Sequence, residues 1–432
     1  MNQPQPLTEP SGGVPEVVAT DAQLREVITR LAQGTGPVAI DAERASGYRY
    51  GQRAYLVQVR RAGAGTALID PLGVPDLGEL SRALGGTEWV LHAANQDLPS
   101  LAEVALRPDS LFDTELAGRL LGRARVGLGT MVEAELGLSM AKEHSAADWS
   151  TRPLPHDWLR YAALDVEVLI ELRQILSRQL DEAGKLEWAL EEFEYVRTAP
   201  PPPPRVDPWR RTSGTHQIRD RRGLAVVREL WIARDAAAAQ VDLAPGRVLP
   251  DRAIIAAAQA LPKNTDDLLA LRPFTNRGAR RRLRTWAGAI ETALELPENE
   301  LPAHRAPHSP DALPQPRSWK DRNPEAAVRL DAVRPTIRAL ADELELPQEN
   351  LLSPDTQRRI AWRPPSSATE ELVAQALRDL GARRWQVEQV TERLTQALAT
   401  GTPVGVPEVA DTADEATETA DQVTETAGEN AS

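Results

Sequence analysis

Five consecutive prolines at residues 200–204 constrain this 432-residue chain more than any other feature. Proline fixes one backbone dihedral angle and lacks the N–H that a helix interior needs, so the run ends any preceding helix and favours an extended segment. Strand-like and helix-like apolar patterns alternate before the prolines, whereas helical patterns dominate after them. The prolines therefore predict a boundary between an α/β half and a helical half.

The half before the prolines has the pattern of a mixed sheet flanked by helices. Residues 21–32 have apolar positions at helical spacing, and strands are predicted at residues 38–43, 54–60 and 66–69. Short connections make these three strands an antiparallel meander. Helical stretches then alternate with the apolar runs at 89–92 and 111–112, which predicts parallel strands joined by crossover helices.

The half after the prolines contains two related helical segments. Gly-Ala-Arg-Arg occurs at residues 278–281 and again at 381–384, and Pro-Asp occurs at 250–251 and 354–355, so both motifs recur at nearly the same offset. This repetition indicates a tandem duplication. The predicted segments are a flexible N-terminus (1–16), an α/β domain (17–198), a proline-rich linker (199–211), a helical bundle (212–296), a second linker (297–323), a divergent second bundle (324–400) and a disordered acidic tail (401–432).

Charge is distributed unevenly along the chain. The formal net charge is −13, but residues 205–290 contain 17 Arg plus Lys against 8 Asp plus Glu. Contacts to nucleic-acid phosphates need local positive charge, so this basic segment is compatible with a nucleic-acid partner despite the acidic total. Arginines outnumber lysines by 46 to 4, which a GC-rich genome would also produce, so the clustering carries more weight than the residue type.

Four carboxylates and a tyrosine form the candidate site. Asp41 and Glu43 end an apolar strand, and the period of two points both side chains to one side. Tyr161 and Asp165 are four residues apart in a helical stretch, so they share one helix face. Asp97 follows the apolar run at 89–91, where a chain leaving a buried strand turns. Taken singly, each has a structural interpretation, as a cap, a turn residue or a core tyrosine.

At these positions the sequence resembles the ribonuclease D family, the DEDD exonucleases that carry tyrosine in the last motif. The resemblance covers nearly the whole chain. The motifs are Asp-Ala-Glu at 41–43, His-Ala-Ala-Asn-Gln-Asp-Leu at 92–98, Phe-Asp-Thr at 112–114, Asp-Trp-Ser-Thr-Arg-Pro-Leu at 148–154 and Tyr-Ala-Ala-Leu-Asp-Val at 161–166. The sister subclass would have a histidine five positions before the last aspartate, where this chain has Arg160.

The resemblance implies a ribonuclease-H-like 3′-to-5′ exonuclease domain followed by two all-α HRDC-like bundles, which bind nucleic acid. It further implies two divalent ions, Mg²⁺ or Mn²⁺, since such hard ions prefer oxygen ligands. Asp41 would bridge both ions, Glu43 and Asp165 would complete the first, and Asp97 would hold the second, largely through water. Tyr161 would orient the attacking water.

Further residues are candidates for nucleic-acid binding. Trp149 and Arg152 could contact the terminal nucleotide, or could pack their loop against the next helix. A cluster of arginines could bind the RNA backbone, or could simply form a solvated helix face. Its members are Arg277, Arg280, Arg281 and Arg282. Asp113 is interpreted as the N-cap of a helix from Thr114, and His92 and His144 as structural or solvent-facing.

The sequence thus predicts a metal-dependent exoribonuclease that acts on RNA with a free 3′ end, such as tRNA precursors. The alternatives are a DNA exonuclease acting on single strands in repair and a non-catalytic RNA-binding scaffold. The absence of cysteine suits a reducing compartment, and neither a signal sequence nor an apolar run of membrane-spanning length is present. We expect a cytoplasmic monomer without membrane contact.

Overall fold

The computed structural model describes residues 3–140, 144, 146–305 and 311–406. Their strands are β1 (Gln5–Leu7), β2 (Val17–Val18), β3 (Thr35–Arg44), β4 (Ala54–Ala62), β5 (Gly65–Ile69), β6 (Glu88–Leu91), β7 (Ser110–Asp113) and β8 (Leu138–Met140). The chain folds into two compact units that divide near residue 312, and the first unit contains both the sheet and the first helical bundle.

A six-stranded mixed sheet forms the centre of the α/β domain, in the order β2-β5-β4-β3-β6-β7. β3, β4 and β5 pair antiparallel, which confirms the predicted meander, and β6 and β7 extend the sheet in parallel from β3. β3 is therefore central, with neighbours on both edges. Its buried apolar residues Val38, Ala39 and Ile40 lead directly to Asp41.

Helices cover both faces of this sheet. They are α1 (Asp21–Ala32), α2 (Gly78–Ala83), α3 (Leu98–Glu103), α4 (Thr114–Leu120), α5 (Leu128–Leu136), α6 (His156–Glu167), α7 (Leu169–Glu182) and α8 (Leu186–Thr198). α1 begins where the Thr20 side chain accepts a hydrogen bond from the Gln23 N–H, as an N-cap does. α6 packs against β3, β4 and β5 and thus lies over the carboxyl-bearing part of β3.

The N-terminal segment differs from the flexible arm that the sequence predicts for residues 1–16. Within it, β1 pairs in parallel with β8, with Gln5, Pro6 and Leu7 opposite Leu138, Ser139 and Met140. The Ser11 N–H also donates to the Glu167 carboxylate, at 3.3 Å. Three-residue strands are too short to give a recognisable alternation of apolar residues, which is why the sequence pattern does not predict them.

The first helical bundle consists of α9 (Arg221–Val241), α10 (Pro245–Val248), α11 (Asp251–Ala260), α12 (Thr265–Ala270), α13 (Arg277–Arg280) and α14 (Leu283–Glu295). Its core also takes in residues from both predicted linkers, because Trp209 and Leu301 are buried in the same apolar cluster. The ends of the linkers are thus part of the bundle.

The second unit contains α15 (Trp319–Arg322), α16 (Pro324–Glu343), α17 (Gln348–Leu351), α18 (Pro354–Trp362), α19 (Glu370–Asp379) and α20 (Arg384–Thr400). Trp319 falls in the predicted linker 297–323 but is fully buried in the core of this unit. α9, α10 and α11 start at residues 221, 245 and 251, and α16, α17 and α18 start 103 residues later in each case. This constant offset supports the predicted duplication. The predicted acidic tail lies outside the described residues from 407 onward, and none of the described helices could cross a membrane.

Candidate metal centre and active-site cleft

Three of the predicted carboxylates converge above the central strand. Asp41 and Glu43 project from the same face of β3, and Asp165 projects from α6, which crosses that face. One oxygen atom from each of the three lies within 4.8 Å of the other two. They line a cleft of about 630 Å³ together with Asp97 and Tyr161, so all five predicted residues meet at one place.

Asp97 is held at the cleft by a turn that follows β6. Ala93 has a positive φ of 59° in this turn, a conformation that non-glycine residues rarely adopt. The Asp113 carboxylate stabilises the turn by accepting hydrogen bonds from the Ala93 and Ala94 N–H groups, at 3.0 and 2.8 Å. It also accepts from the Glu115 and Leu116 N–H groups, which confirms the prediction that Asp113 caps α4.

Crowding and burial make this site unfavourable for four negative charges. Burial, and then the neighbouring carboxylates of Asp41, Asp165 and Asp97, raise the pKa of Glu43 well above its usual range. Burial, followed by the charge of Asp41, raises the pKa of Asp97 to about 8, and the Asp97 carboxyl donates a hydrogen bond to Asp41. The pKa values of Asp41 and Asp165 are also raised, mainly by burial.

This donor set fits divalent cations. Each carboxylate offers oxygen, the ligand atom that Mg²⁺ and Mn²⁺ prefer, and the cations would offset both the burial and the mutual repulsion of negative charge that raise these pKa values. Asp41 lies between two groups of candidate ligands. On one side it pairs with Asp97, and on the other it clusters with Glu43 and Asp165.

Tyr161 faces Asp165 across one turn of α6, and its hydroxyl donates a hydrogen bond to the Asp165 carboxylate. Burial, and then the charges of Asp165 and Glu43, raise the pKa of the phenol above its usual value. The phenol therefore stays protonated at neutral pH, when it can orient a water molecule by hydrogen bonding but cannot remove a proton from it.

His92 and His144 lie near the site but are not members of the Asp41, Glu43 and Asp165 cluster. The His92 ring lines the cleft, but burial lowers its pKa to about 4, and Nδ1 lies 2.9 Å from the Thr114 hydroxyl. It is neutral at pH 7. The His144 ring stands edge-on to Tyr161, with the ring centres 6.0 Å apart, and also contacts Trp158.

Two of the residues proposed to contact nucleotides have structural positions instead. Trp149 is fully buried and packs against Trp158 and Tyr161, so its ring has no face for a base. Arg152 uses all five of its N–H donors within the protein, since a guanidinium carries five. Its five acceptors are both carboxylate oxygens of Asp70 and the carbonyl groups of Tyr55, Trp149 and Thr151. The alternative interpretation, packing of the loop, is the one that these contacts favour.

The predicted basic cluster does not lie among the residues that line the cleft. Arg280 and Arg281 are exposed on the first bundle and Arg282 is half-buried, while the side chain of Arg277 lies outside the described residues. Trp286 is fully buried, and its indole N–H donates to the Ala279 carbonyl at 3.0 Å, so it is not placed to stack on a base.

The sequence pattern missed Arg44, the last residue of β3. Its side chain lines the cleft, with one terminal nitrogen 3.4 Å from the Asp97 carboxylate and the other 2.7 Å from the Gln96 carbonyl. The only sequence signal for this residue is its position directly after Glu43.

The loop between β3 and β4, residues 45–53, was also missed as a contact surface. Tyr50 donates from its hydroxyl to Asp235 at 3.1 Å, and Arg53 pairs with Asp242 at 2.6 Å. Arg247 donates to the Gly47 carbonyl at 2.8 Å. These contacts join the first bundle to the loop that continues the strand of Asp41 and Glu43.

Comparison with known proteins gives three matching family models. Residues 15–181 match a 3′-5′ exonuclease, residues 223–290 match the HRDC domain, and residues 312–398 match a 3′ to 5′ exonuclease C-terminal domain. The HRDC model thus matches the first bundle, and the HRDC-like character of the second remains a prediction.

Among curated proteins, ribonuclease D of Pseudomonas paraeruginosa is 32% identical over 294 residues, which cover 66% of this chain and 73% of that protein. A crystal structure of a protein from Bifidobacterium adolescentis covers 91% of this chain and 99% of its own, with 40% identity and a TM-score of 0.83. The crystal structure of Escherichia coli RNase D, described as an exoribonuclease involved in structured RNA processing, covers 84% of this chain and 98% of its own, with 25% identity and a TM-score of 0.62.

Proposed function

Because the chain belongs to the ribonuclease D family, we propose that it is a metal-dependent 3′-to-5′ exoribonuclease that releases nucleoside 5′-monophosphates from RNA 3′ ends. The observation that carries the proposal is the convergence of Asp41, Glu43, Asp97, Asp165 and Tyr161 in one cleft. A chain that had lost the activity would be expected to lack at least one of these side chains.

Two divalent ions bound at this site would supply an activated water, neutralise charge on the reacting phosphate and stabilise the departing 3′ oxygen. Asp41, Glu43 and Asp165 would hold one ion, and Asp41 with Asp97 would hold the other. Mg²⁺ and Mn²⁺ are both suited to these oxygen ligands.

The protein's own groups would position the reactants. The neutral Tyr161 hydroxyl donates its one hydrogen to Asp165, which fixes the direction of the phenol and leaves the oxygen able to accept a hydrogen bond from the attacking water. The exposed Arg280 and Arg281 of the first bundle are proposed to bind the RNA backbone away from the cleavage point.

The experiment that tests this function compares two 5′-labelled substrates, a tRNA precursor with a 3′ extension and a single-stranded DNA of equal length. Each is incubated with Mg²⁺, Mn²⁺ or EDTA, and the product ladder is followed with time. If the protein is this exoribonuclease, the RNA shortens from its 3′ end only when metal is present. A preference for DNA would indicate a repair exonuclease, and tight RNA binding without turnover in any metal would indicate a scaffold.

A further inference from the structure

Arg44 occupies an unusual position for a positively charged residue, because it lines the cleft together with all four carboxylates. It closes β3 at an irregularity in the pairing of β3 with β4, where Glu43 lies opposite Leu56 but Arg44 lies opposite Ala54. Its side chain retains 28% of its surface exposed, in contrast to the buried carboxylate of Asp97 beside it. The guanidinium can therefore be reached from the cleft.

The hydrogen-bonding capacity of Arg44 is only partly used. One contact goes to the Gln96 carbonyl and one to the Asp97 carboxylate, and the other three of its five N–H donors form no hydrogen bond to any residue in the described part of the chain. Arg152, whose five donors are all engaged, is the opposite case. Arg44 thus keeps a donor set that suits the oxygen atoms of a phosphate.

The charge of the cleft favours the same interpretation. Among the described residues that line it, Arg44 is the one cation at pH 7, since His92 is neutral. Two divalent ions would balance the four carboxylates, and the positive charge of Arg44 would then make the loaded site attractive to an anion. Arg44 follows the proposed ligand Glu43 directly and contacts the proposed ligand Asp97, so that anion would lie at the cleavage point.

We propose that Arg44 binds a phosphate of the substrate strand at the cleavage point, and this inference rests on the proposed exonuclease function. The competing role is purely structural, in which Arg44 only fixes the turn that carries Asp97. The two roles predict opposite effects of an Arg44 substitution on the metal affinity. A positive charge beside the carboxylates opposes cations, so its removal should not weaken metal binding unless Arg44 is needed to position Asp97.

The test compares Arg44→Gln and Arg44→Lys with the wild type, and uses Arg25→Gln as a control because Arg25 is exposed on α1 and does not line the cleft. Mn²⁺ affinity is measured by calorimetry without RNA, and KM and kcat are measured on single-stranded RNA at saturating metal. Loss of a charged hydrogen-bonding partner is expected to raise KM for Arg44→Gln at least about tenfold. Arg44→Lys, which keeps the charge, should lie between Arg44→Gln and the wild type, and Arg25→Gln should match the wild type.

Mn²⁺ should bind Arg44→Gln as tightly as the wild type or more tightly. The slope of log(kcat/KM) against the logarithm of salt concentration should become shallower by about 0.7, the contribution of one phosphate contact on a single strand. Weaker Mn²⁺ binding, with a normal KM once metal is saturating, would assign Arg44 the structural role. An unchanged KM and salt dependence would also overturn the inference, whereas a wild type without metal-dependent turnover would instead reject the proposed function. If Arg44→Gln melts below the wild type, Arg44→Lys is used for KM alone: it should still raise KM because it loses the two-nitrogen contact, and an unchanged KM would overturn the inference.

Discussion

The candidate active-site cleft and the first helical bundle differ in how their charged residues are used. In the cleft, four carboxylates lie close together and buried, and the pKa of each is raised. Only Asp41 and Asp97 share a hydrogen bond. In the bundle, many arginines serve the bundle itself. Arg221 donates to the Glu298, Leu301 and Pro302 carbonyls, and Arg222 donates to those of Ala293, Leu294 and Leu296. Unfavourable crowding indicates a ligand site, whereas a high count of arginines alone does not.

The largest expected effect comes from removing one charge of the cleft. Asp41→Asn should reduce kcat by roughly a thousandfold or more, because metal-ion stabilisation supplies several kcal/mol. RNA affinity should remain within about threefold of the wild type if the bundle provides most of the binding. Turnover is measured on labelled RNA, affinity by filter binding and folding by circular dichroism. An unfolded variant would show instead that Asp41 has a structural role.

The next largest effect, on the free energy of unfolding, distinguishes arginines that form hydrogen bonds within the protein from arginines that can bind RNA. Arg152→Ala breaks the two-bond pair with Asp70 and three further hydrogen bonds, so the free energy of unfolding should fall by about 3 kcal/mol. Urea denaturation measures this loss, and Asp70→Asn should produce a similar one. KM for RNA should stay unchanged in the folded variant. A tenfold rise in KM without a loss of stability would restore Arg152 as a nucleotide contact.

A dependence of stability on pH is also expected in the metal-free protein. Folding raises the pKa of Asp97 to about 8, so the folded protein holds this proton more tightly than the unfolded one. The stabilisation is fully present below pH 4, near the unfolded pKa of about 3.9, and is lost as pH rises through 8. In EDTA the free energy of unfolding should therefore decline over this range, and less steeply in Asp97→Asn. Mg²⁺ should flatten the decline, whereas a rise in stability over the same range would contradict the pKa assignment.

The smallest effect belongs to the exposed arginines of the bundle. Arg280→Gln combined with Arg281→Gln should raise KM for RNA only a few-fold and leave kcat unchanged, because exposed phosphate contacts are screened by salt. The salt dependence of binding should become shallower by about 0.7 for each lost contact. A matched double substitution away from the bundle, Arg25→Gln with Arg82→Gln, is the control. Equal effects in both proteins would reduce the bundle's role to overall charge.

The convergence of the candidate site residues could be predicted from the sequence because local geometry determines most of it. Asp41 and Glu43 share a face through the period of a strand, and Tyr161 and Asp165 through the period of a helix. The meander of β3, β4 and β5 follows from short connections in the same way. These features depend on few residues that are close together in the chain.

The features that the sequence left open or missed depend on distant partners. Arg152 donates hydrogen bonds to Asp70 and Tyr55, which lie 82 and 97 residues away in the chain. No local sequence pattern predicts those contacts. Trp149 is buried between α6, which brings Trp158 and Tyr161 against it, and sheet residues such as Tyr55 and Leu68. Arg44 acquires its position from the turn at Asp97, 53 residues later. Sequence patterns therefore place side chains that share a strand or helix face more reliably than side chains whose partners are distant in the chain.

The contacts between the β3–β4 loop and the first bundle limit how far the protein can be treated as separable modules. Tyr50, Arg53 and Gly47 are matched to Asp235, Asp242 and Arg247, so the two domains have complementary surfaces in addition to the proline-rich connection. A chimera that received the bundle of another protein would lose these pairs unless residues 47–53 were exchanged with it. Selection on the bundle and on the loop beside the catalytic strand is thereby linked, and the two would be expected to change together during evolution.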